Sequence, residues 1–145
     1  MFLPELQIER INEDAVIPRR ANPTDSGLDL CCVSDVFLSP GEKELIHTGW
    51  KMSVSPGYEI QIRPRSGLSL KTDLVISNSP GTVDSGFLGE VCVIIKNTGK
   101  DPYFIKKYDR IAQMVIAKVE LLTPNVVDKL KETDRGEGGF GSTGR

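Results

Sequence analysis

The residues best suited to chemistry in this chain lie in five short segments rich in glycine and in charged or hydroxyl side chains. Residues 135–145 read Arg-Gly-Glu-Gly-Gly-Phe-Gly-Ser-Thr-Gly-Arg, with five glycines. Such a stretch buries too little apolar surface to order itself. Its glycines let backbone N–H groups approach an anion closely, Arg135 brings a forked cation, and Ser142 and Thr143 add hydroxyls. Phe140 offers a flat apolar face of the kind that suits a nucleobase. A frayed glycine-rich end is the alternative, and the tail alone does not decide between them.

Upstream, Asp25 and Asp29 flank a glycine turn in Ala21-Asn-Pro-Thr-Asp-Ser-Gly-Leu-Asp-Leu30, where an Asx-type turn is the simplest reading. In Arg63-Pro-Arg-Ser-Gly-Leu68 a strand gives way to a helical turn with Arg65, Ser66 and the Gly67 amide near its start. That is the chemistry of an anion site, although a plain cap with Ser66 as N-cap fits equally well. Asn78–Glu90 forms an exposed hairpin carrying Asp84 and, three residues on, Phe87. A carboxylate beside a phosphate-bound metal can orient and deprotonate a water, and an aromatic ring can pack on a sugar. The alternatives are a turn residue and a hydrophobic plug. In Tyr108–Gln113, Asp109 and Arg110 can simply pair at a strand start, whereas Gln113 among apolar neighbours needs a partner for its amide.

Strands must hold these segments in place, because the dominant sequence period is two. Tyr58–Arg63 alternates apolar with polar, as a half-buried strand does. Glu90–Lys96 and the longer Arg110–Val119 are apolar and β-branched, and both read as strands buried on both faces. Weaker strands are expected at Leu6–Ile11, Leu28–Val33, Val36–Leu38, Glu44–Thr48, Lys51–Val54 and Leu74–Ile76. Turn signals separate them at Ser39-Pro-Gly41, Ser55-Pro-Gly57, Ser79-Pro-Gly81 and Asn97–Pro102. Ser66–Lys71 and Val126–Lys131 are the stretches that suit helical turns. The pattern predicts an all-β sandwich or barrel, with one domain over 1–130 and a flexible glycine-rich flap over 131–145.

At 145 residues the chain can bury a real core, and 39% hydrophobic with 26% charged residues is ordinary for a soluble globular protein. The 18 Lys and Arg against 20 Asp and Glu leave a net charge of -2, so bulk attraction to nucleic acid or an anionic membrane is not expected. No run is long enough for a transmembrane helix, and Met1–Glu5 lacks a basic-then-apolar signal pattern. Cys31, Cys32 and Cys92 are an odd, partly adjacent set, which argues for a reducing, cytoplasmic setting rather than a disulfide framework. With His47 the sole histidine and no Cys-x-x-Cys, neither zinc-finger spacing nor Ser-His chemistry is present, and His47 reads as structural. A metal here would be Mg²⁺, held by carboxylates and phosphates.

Taken in order, Asp25–Leu30, Pro64–Leu68, Gly81–Gly89, Asp109–Gln113 and Arg135–Gly144 match five motifs, and over nearly its whole length the chain resembles the trimeric dUTPases. The resemblance implies a distorted jelly-roll of the dUTPase type, forming a homotrimer with a swapped C-terminal arm. It implies Mg²⁺-dependent hydrolysis of dUTP to dUMP and pyrophosphate, which keeps uracil out of DNA and supplies dUMP for dTTP synthesis. Asp84 falls at the general base that activates water for attack on the α-phosphorus, and Asp29 at the acidic residue that holds the metal through water. Arg65, Ser66, Gly67 and Gln113 fall at phosphate contacts, joined from the tail by Arg135, Ser142 and Thr143. Asn78, Gly81, Thr82, Val83, Asp84 and Cys92 line the uracil and deoxyribose pocket, largely through backbone groups, and Phe140 with Gly141 closes over the base. Phe87 departs from the family's usual tyrosine but keeps the ring face that excludes a 2′-hydroxyl. Each of three sites draws on three subunits. The rivals are a dCTP deaminase, which shares this fold, and a non-catalytic nucleotide binder. The intact Asp84 hairpin and tail favour phosphohydrolysis over both.

Overall fold

A computed structural model describes residues 3–144; Met1, Phe2 and Arg145, the last residue of the predicted flap, lie outside the described residues. Its strands are β1 (Leu6–Arg10), β2 (Leu28–Cys31), β3 (Val36–Leu38), β4 (Lys43–Val54), β5 (Tyr58–Arg63), β6 (Leu74–Ile76), β7 (Gly81–Asp84), β8 (Glu90–Asn97), β9 (Tyr103–Ile105) and β10 (Arg110–Lys118), with one short helix, α1 (Ser66–Lys71), between β5 and β6. Two four-stranded sheets, ordered β1-β4-β8-β6 and β2-β10-β5-β7, and a β3-β9 pair make up the body. Every pairing is antiparallel. This is the all-β jelly-roll expected.

Alternation decides what faces the core. Ile60 and Ile62 of β5, Ile111, Ala112 and Met114 of β10, and Val91, Val93 and Ile95 of β8 are buried together with Leu30, Leu38, Ile46 and Met52. Among the described residues two buried polar side chains are satisfied: the Thr48 hydroxyl donates to Val91 O, and the Asn97 amide donates to Leu38 O and Asp101 O at 3.1 and 2.8 Å. Asn97 thereby pins the predicted 97–102 turn from within the core.

Several sequence expectations require correction. Neither β8 nor β10 is buried on both faces: in β8 Cys92 and Ile94 turn to a half-exposed outer face while Val91, Val93 and Ile95 turn inward, and in β10 Gln113, Val115 and Ala117 are only partly buried. The two strands expected at Glu44–Thr48 and Lys51–Val54 are one, β4. Gly49, at φ +77, carries the chain through a bulge between His47 and Lys51 without ending it. An added Cβ there would meet Ala15 Cβ at 2.7 Å, so glycine is required twice over. The helical turn expected at Val126–Lys131 does not form. Val126 and Leu130 are exposed with nothing of their own chain beneath them, and a short helix needs a buried face. Strand β9 was not foreseen; it follows the Asn97–Pro102 turn directly, and what makes it a strand is its pairing with β3, a segment far away along the chain.

Candidate active site

The central position of β10 assembles the first half of the site. Gln113 lies opposite Asp29 of β2 on one side and Arg63 of β5 on the other. The chain leaving β5 then turns at Pro64 into α1, which brings Arg65, Ser66 and Gly67 beside Gln113. These four residues share a cavity of about 270 Å³ with Ala21, Asp25, Ser26, Gly27 and Asp29.

Asp29 organises the charges in that cavity. Arg65 Nε donates to its Oδ1 at 2.8 Å, and Arg110 donates to its Oδ2 at 3.3 Å. Because only Nε of Arg65 is spent on Asp29, its two terminal NH₂ groups remain for an anion, already oriented by the carboxylate. The expected Asp109–Arg110 pair is not what forms. Asp109 Oδ2 accepts from the Lys106 backbone, which frees Arg110 to reach across to β2. Arg110 therefore joins the site, and its place between Asp109 and Gln113 was the available signal. Ser66 is not an N-cap either. Arg65 occupies that position without a side-chain cap bond, leaving the Ser66 hydroxyl to the cavity.

Gln113 finds the partner its apolar strand demanded, its amide donating to Pro64 O at 2.8 Å. It lies directly over Gly27, where an added Cβ would come within 2.0 Å of Gln113 Oε1. Gly27 is thus required for a reason that residue-type reading alone misses. Asp25 does form the expected turn, its Oδ2 accepting from the Asn22 backbone and side-chain amides.

The donors in this cavity suit Mg²⁺. They are carboxylate and hydroxyl oxygens, from Asp25, Asp29, Ser26 and Ser66, with no nitrogen or sulfur ligand. Both Asp29 oxygens already face guanidinium groups, so contact through a water shell fits better than direct ligation.

The hairpin forms a second cavity, of about 320 Å³, lined by Asn78, Thr82, Val83, Asp84, Phe87, Glu90 and Cys92 among others. Gly81, with Asn78, Thr82 and Val83, borders a smaller adjoining recess. Asp84 ends β7 with an exposed side chain, and its carbonyl accepts from Phe87 N at 3.0 Å to tighten the turn. The Phe87 ring lies over Gly89 and stays half-exposed. Burial, and then the charge of Glu90, push the Cys92 thiol up to about 11, so it is protonated at neutral pH.

The two cavities have no lining residue in common. Glu59 lies opposite Asp84 in β7, whereas Arg63 at the other end of β5 lies opposite Gln113. Four residues of strand, roughly 13 Å, separate those levels. Among the described residues the tail reaches neither cavity. Its hydrogen bonds are local: Arg135 Nε donates to Gly138 O, Ser142 N to Gly139 O and Gly144 N to Gly141 O, while Phe140 is fully exposed at φ 51. One chain therefore carries three separated parts, an anion cradle, a hairpin with a carboxylate and an aromatic ring, and a glycine-rich end.

A family model for dUTPase matches residues 13–144. The chain belongs to the dUTPase family. A relative from Clostridium kluyveri, named deoxyuridine 5'-triphosphate nucleotidohydrolase, is 49% identical over 140 residues, covering 97% of this chain and 98% of its own. A relative of the same name from Nautilia profundicola is 45% identical over 141 residues, covering 97% and 99%. Among solved dUTPases, that of Staphylococcus bacteriophage 80alpha with dUPNHPP superposes with a TM-score of 0.91 at 31% identity, covering 97% of this chain and 99% of that one. A point mutant of the dUTPase of phage phi11 of S. aureus, for which coordination of a structural Mg(II) ion is described, is 29% identical with a TM-score of 0.83 over 88% of this chain and 99% of its own.

Proposed function

We propose that this chain hydrolyses dUTP to dUMP and pyrophosphate, as a homotrimer whose active sites each combine the anion cradle of one subunit, the Asp84 hairpin of a second and the tail of a third. The observation that carries the reading is the separation of cradle and hairpin on one chain. Each holds half of what a nucleoside triphosphate needs, and a second copy can bring the halves together. The arm beyond β10 supports this further. Leu121, Leu122, Val126 and Leu130 are exposed along it, as expected of a segment that swaps onto a neighbour. On this reading residues 1–130 form the body with its swapped arm, and 131–145 the flap.

In the assembled site Arg65, Ser66, the Gly67 amide and Gln113 hold the phosphates, joined by Arg135, Ser142 and Thr143 from the flap. Asn78 and the Gly81–Val83 backbone read the uracil edge beside Cys92, Phe87 supports the deoxyribose, and Phe140 with Gly141 covers the base. Asp84 takes a proton from a water whose oxygen attacks the α-phosphorus, and the bond to the bridging oxygen of pyrophosphate breaks. Mg²⁺ on the triphosphate, approached by Asp29 through water, would offset phosphate charge in the transition state. Neither nucleic acid nor a membrane is a partner in this reading. Among the described residues no helix is long and apolar enough to cross a membrane. Three free cysteines fit a reducing, cytoplasmic setting.

The test is pyrophosphate release from dUTP, dCTP, dTTP and UTP, with and without Mg²⁺. Mg²⁺-dependent release from dUTP alone is expected, whereas ammonia from dCTP would identify a deaminase instead. Phe87→Ala is expected to erode discrimination against UTP by roughly tenfold, since the ring face that excludes the 2′-hydroxyl is lost. Unchanged selectivity in competition kinetics would remove Phe87 from the sugar site. Gly27→Ala is expected to raise KM for dUTP about tenfold, because Gln113 must swing away and one phosphate bond is lost. The clash falls on the far end of a flexible side chain, so the melting temperature should drop by only a few degrees. A KM at the wild-type value would mean Gln113 does not hold phosphate.

A further inference from the structure

Strand pairing places His47 of β4 directly opposite Cys92 of β8, and Glu90, two residues before Cys92, shares the same outer face of that sheet. Glu90 Oε2 lies 2.8 Å and Cys92 Sγ 3.5 Å from His47 Nδ1, and the three ligand atoms all fall within 4.8 Å of one another. We propose that His47, Glu90 and Cys92 form a three-ligand site for a borderline-soft divalent ion of the Zn²⁺ class, on the wall of the hairpin cavity and chemically distinct from any Mg²⁺ on the phosphates.

The geometry suits tetrahedral coordination. Zinc–nitrogen bonds of about 2.0 Å and zinc–sulfur bonds of about 2.3 Å at a tetrahedral angle separate the two ligand atoms by about 3.5 Å. That is the His47–Cys92 spacing found. The His47–Glu90 hydrogen bond would open by only about half an ångström to admit the ion. Glu90 is already fixed from behind, its Oε1 accepting from Gly49 N at 2.9 Å, and the β4 bulge aims that amide. This supplies the outer-shell support that orients a metal-binding carboxylate. The imidazole, carboxylate and thiol set excludes Mg²⁺, which requires oxygen ligands, and selects zinc or its cobalt surrogate. One carboxylate and one thiolate balance a divalent charge, and the thiol proton is released as the ion binds. Zinc-finger spacing is absent from the sequence. Here two adjacent strands bring His47 to ligands 43 and 45 positions further along the chain. Glu90 and Cys92 also line the cavity of Asn78, Asp84 and Phe87. An ion held there would sit beside the sugar-facing residues, but its binding does not depend on the dUTP reading.

Cobalt titration of the full-length, chelator-treated protein tests the site. One equivalent of Co²⁺ per chain is expected to produce a thiolate-to-cobalt charge-transfer band with visible absorption of four-coordinate intensity, and Zn²⁺ should bleach both. Cys92→Ser should abolish the charge-transfer band and His47→Gln should weaken the visible absorption. No band at one equivalent, or a band that survives in Cys92→Ser, overturns the assignment. A second measurement needs no variant. Zn²⁺ should protect Cys92, mapped by peptide mass, from alkylation in the wild-type chain, and equal alkylation with and without Zn²⁺ also overturns it.

Discussion

Asp84→Asn is expected to lower turnover of dUTP by about 10²–10⁴-fold, the range that a positioned general base contributes, while leaving nucleotide affinity and stability near wild type. Asp84 ends an edge strand with its side chain in solvent, and among the described residues that carboxylate has no hydrogen bond or ion pair. The turn it anchors uses its backbone carbonyl, which asparagine retains. The substitution is isosteric and touches no buried network, so its cost to folding should stay within about 0.5 kcal/mol. What asparagine cannot do is accept a proton. The change should therefore fall on kcat, with KM and the affinity for a non-hydrolysable dUTP analogue little moved. Steady-state kinetics, analogue titration and a thermal melt together check this. A kcat within a few-fold of wild type would show that another group activates the water.

Much of this arrangement is legible in the residues, and what was not has a physical reason. Strands β3, β5 and β6 fall where alternation and turn residues put them, because a half-buried strand writes its period directly into the sequence. The bulge at Gly49 hides in that code. A glycine inside an apolar pattern marks a break as readily as a continuous strand that shifts register. The individual chemistry-bearing residues are recognisable by type and spacing, whereas their connections are not. Asp29 binding Arg65 and Arg110, Gln113 lying over Gly27, and His47 meeting Cys92 all depend on which strands become neighbours. That is a long-range fact, set by packing between segments distant along the chain. His47 illustrates the point. Its apolar neighbours in sequence pointed to a structural role, and the strand turns it outward to Glu90, a partner that no local pattern names.

Truncation after Asp134 should leave a folded protein with turnover of dUTP reduced by about two to four orders of magnitude. Folding should be spared because no hydrogen bond from residues 135–144 reaches back beyond Thr133, and none of these residues lines either cavity. Activity should suffer because the tail carries two substantial contacts. A charged Arg135–phosphate bond contributes about 1.5–3 kcal/mol, and stacking of Phe140 on the base about 1–3 kcal/mol. Together these make roughly 3–6 kcal/mol, or about 10²–10⁴ in kcat/KM. Near-normal kinetics with an unchanged melting temperature would reduce the tail to a frayed end. Combining the two damaged chains asks the sharper question. If every site were built within one chain, a mixture of truncated and Asp84→Asn proteins, unfolded and refolded together, would stay inactive, since each chain carries a lesion. If hairpin and tail come from different subunits, a truncated chain can supply Asp84 while an Asp84→Asn chain supplies the tail. Random assembly into trimers should then restore about a quarter of the sites. Recovery of that size requires the sites to be shared, and its absence would return the hairpin and the tail to a single chain.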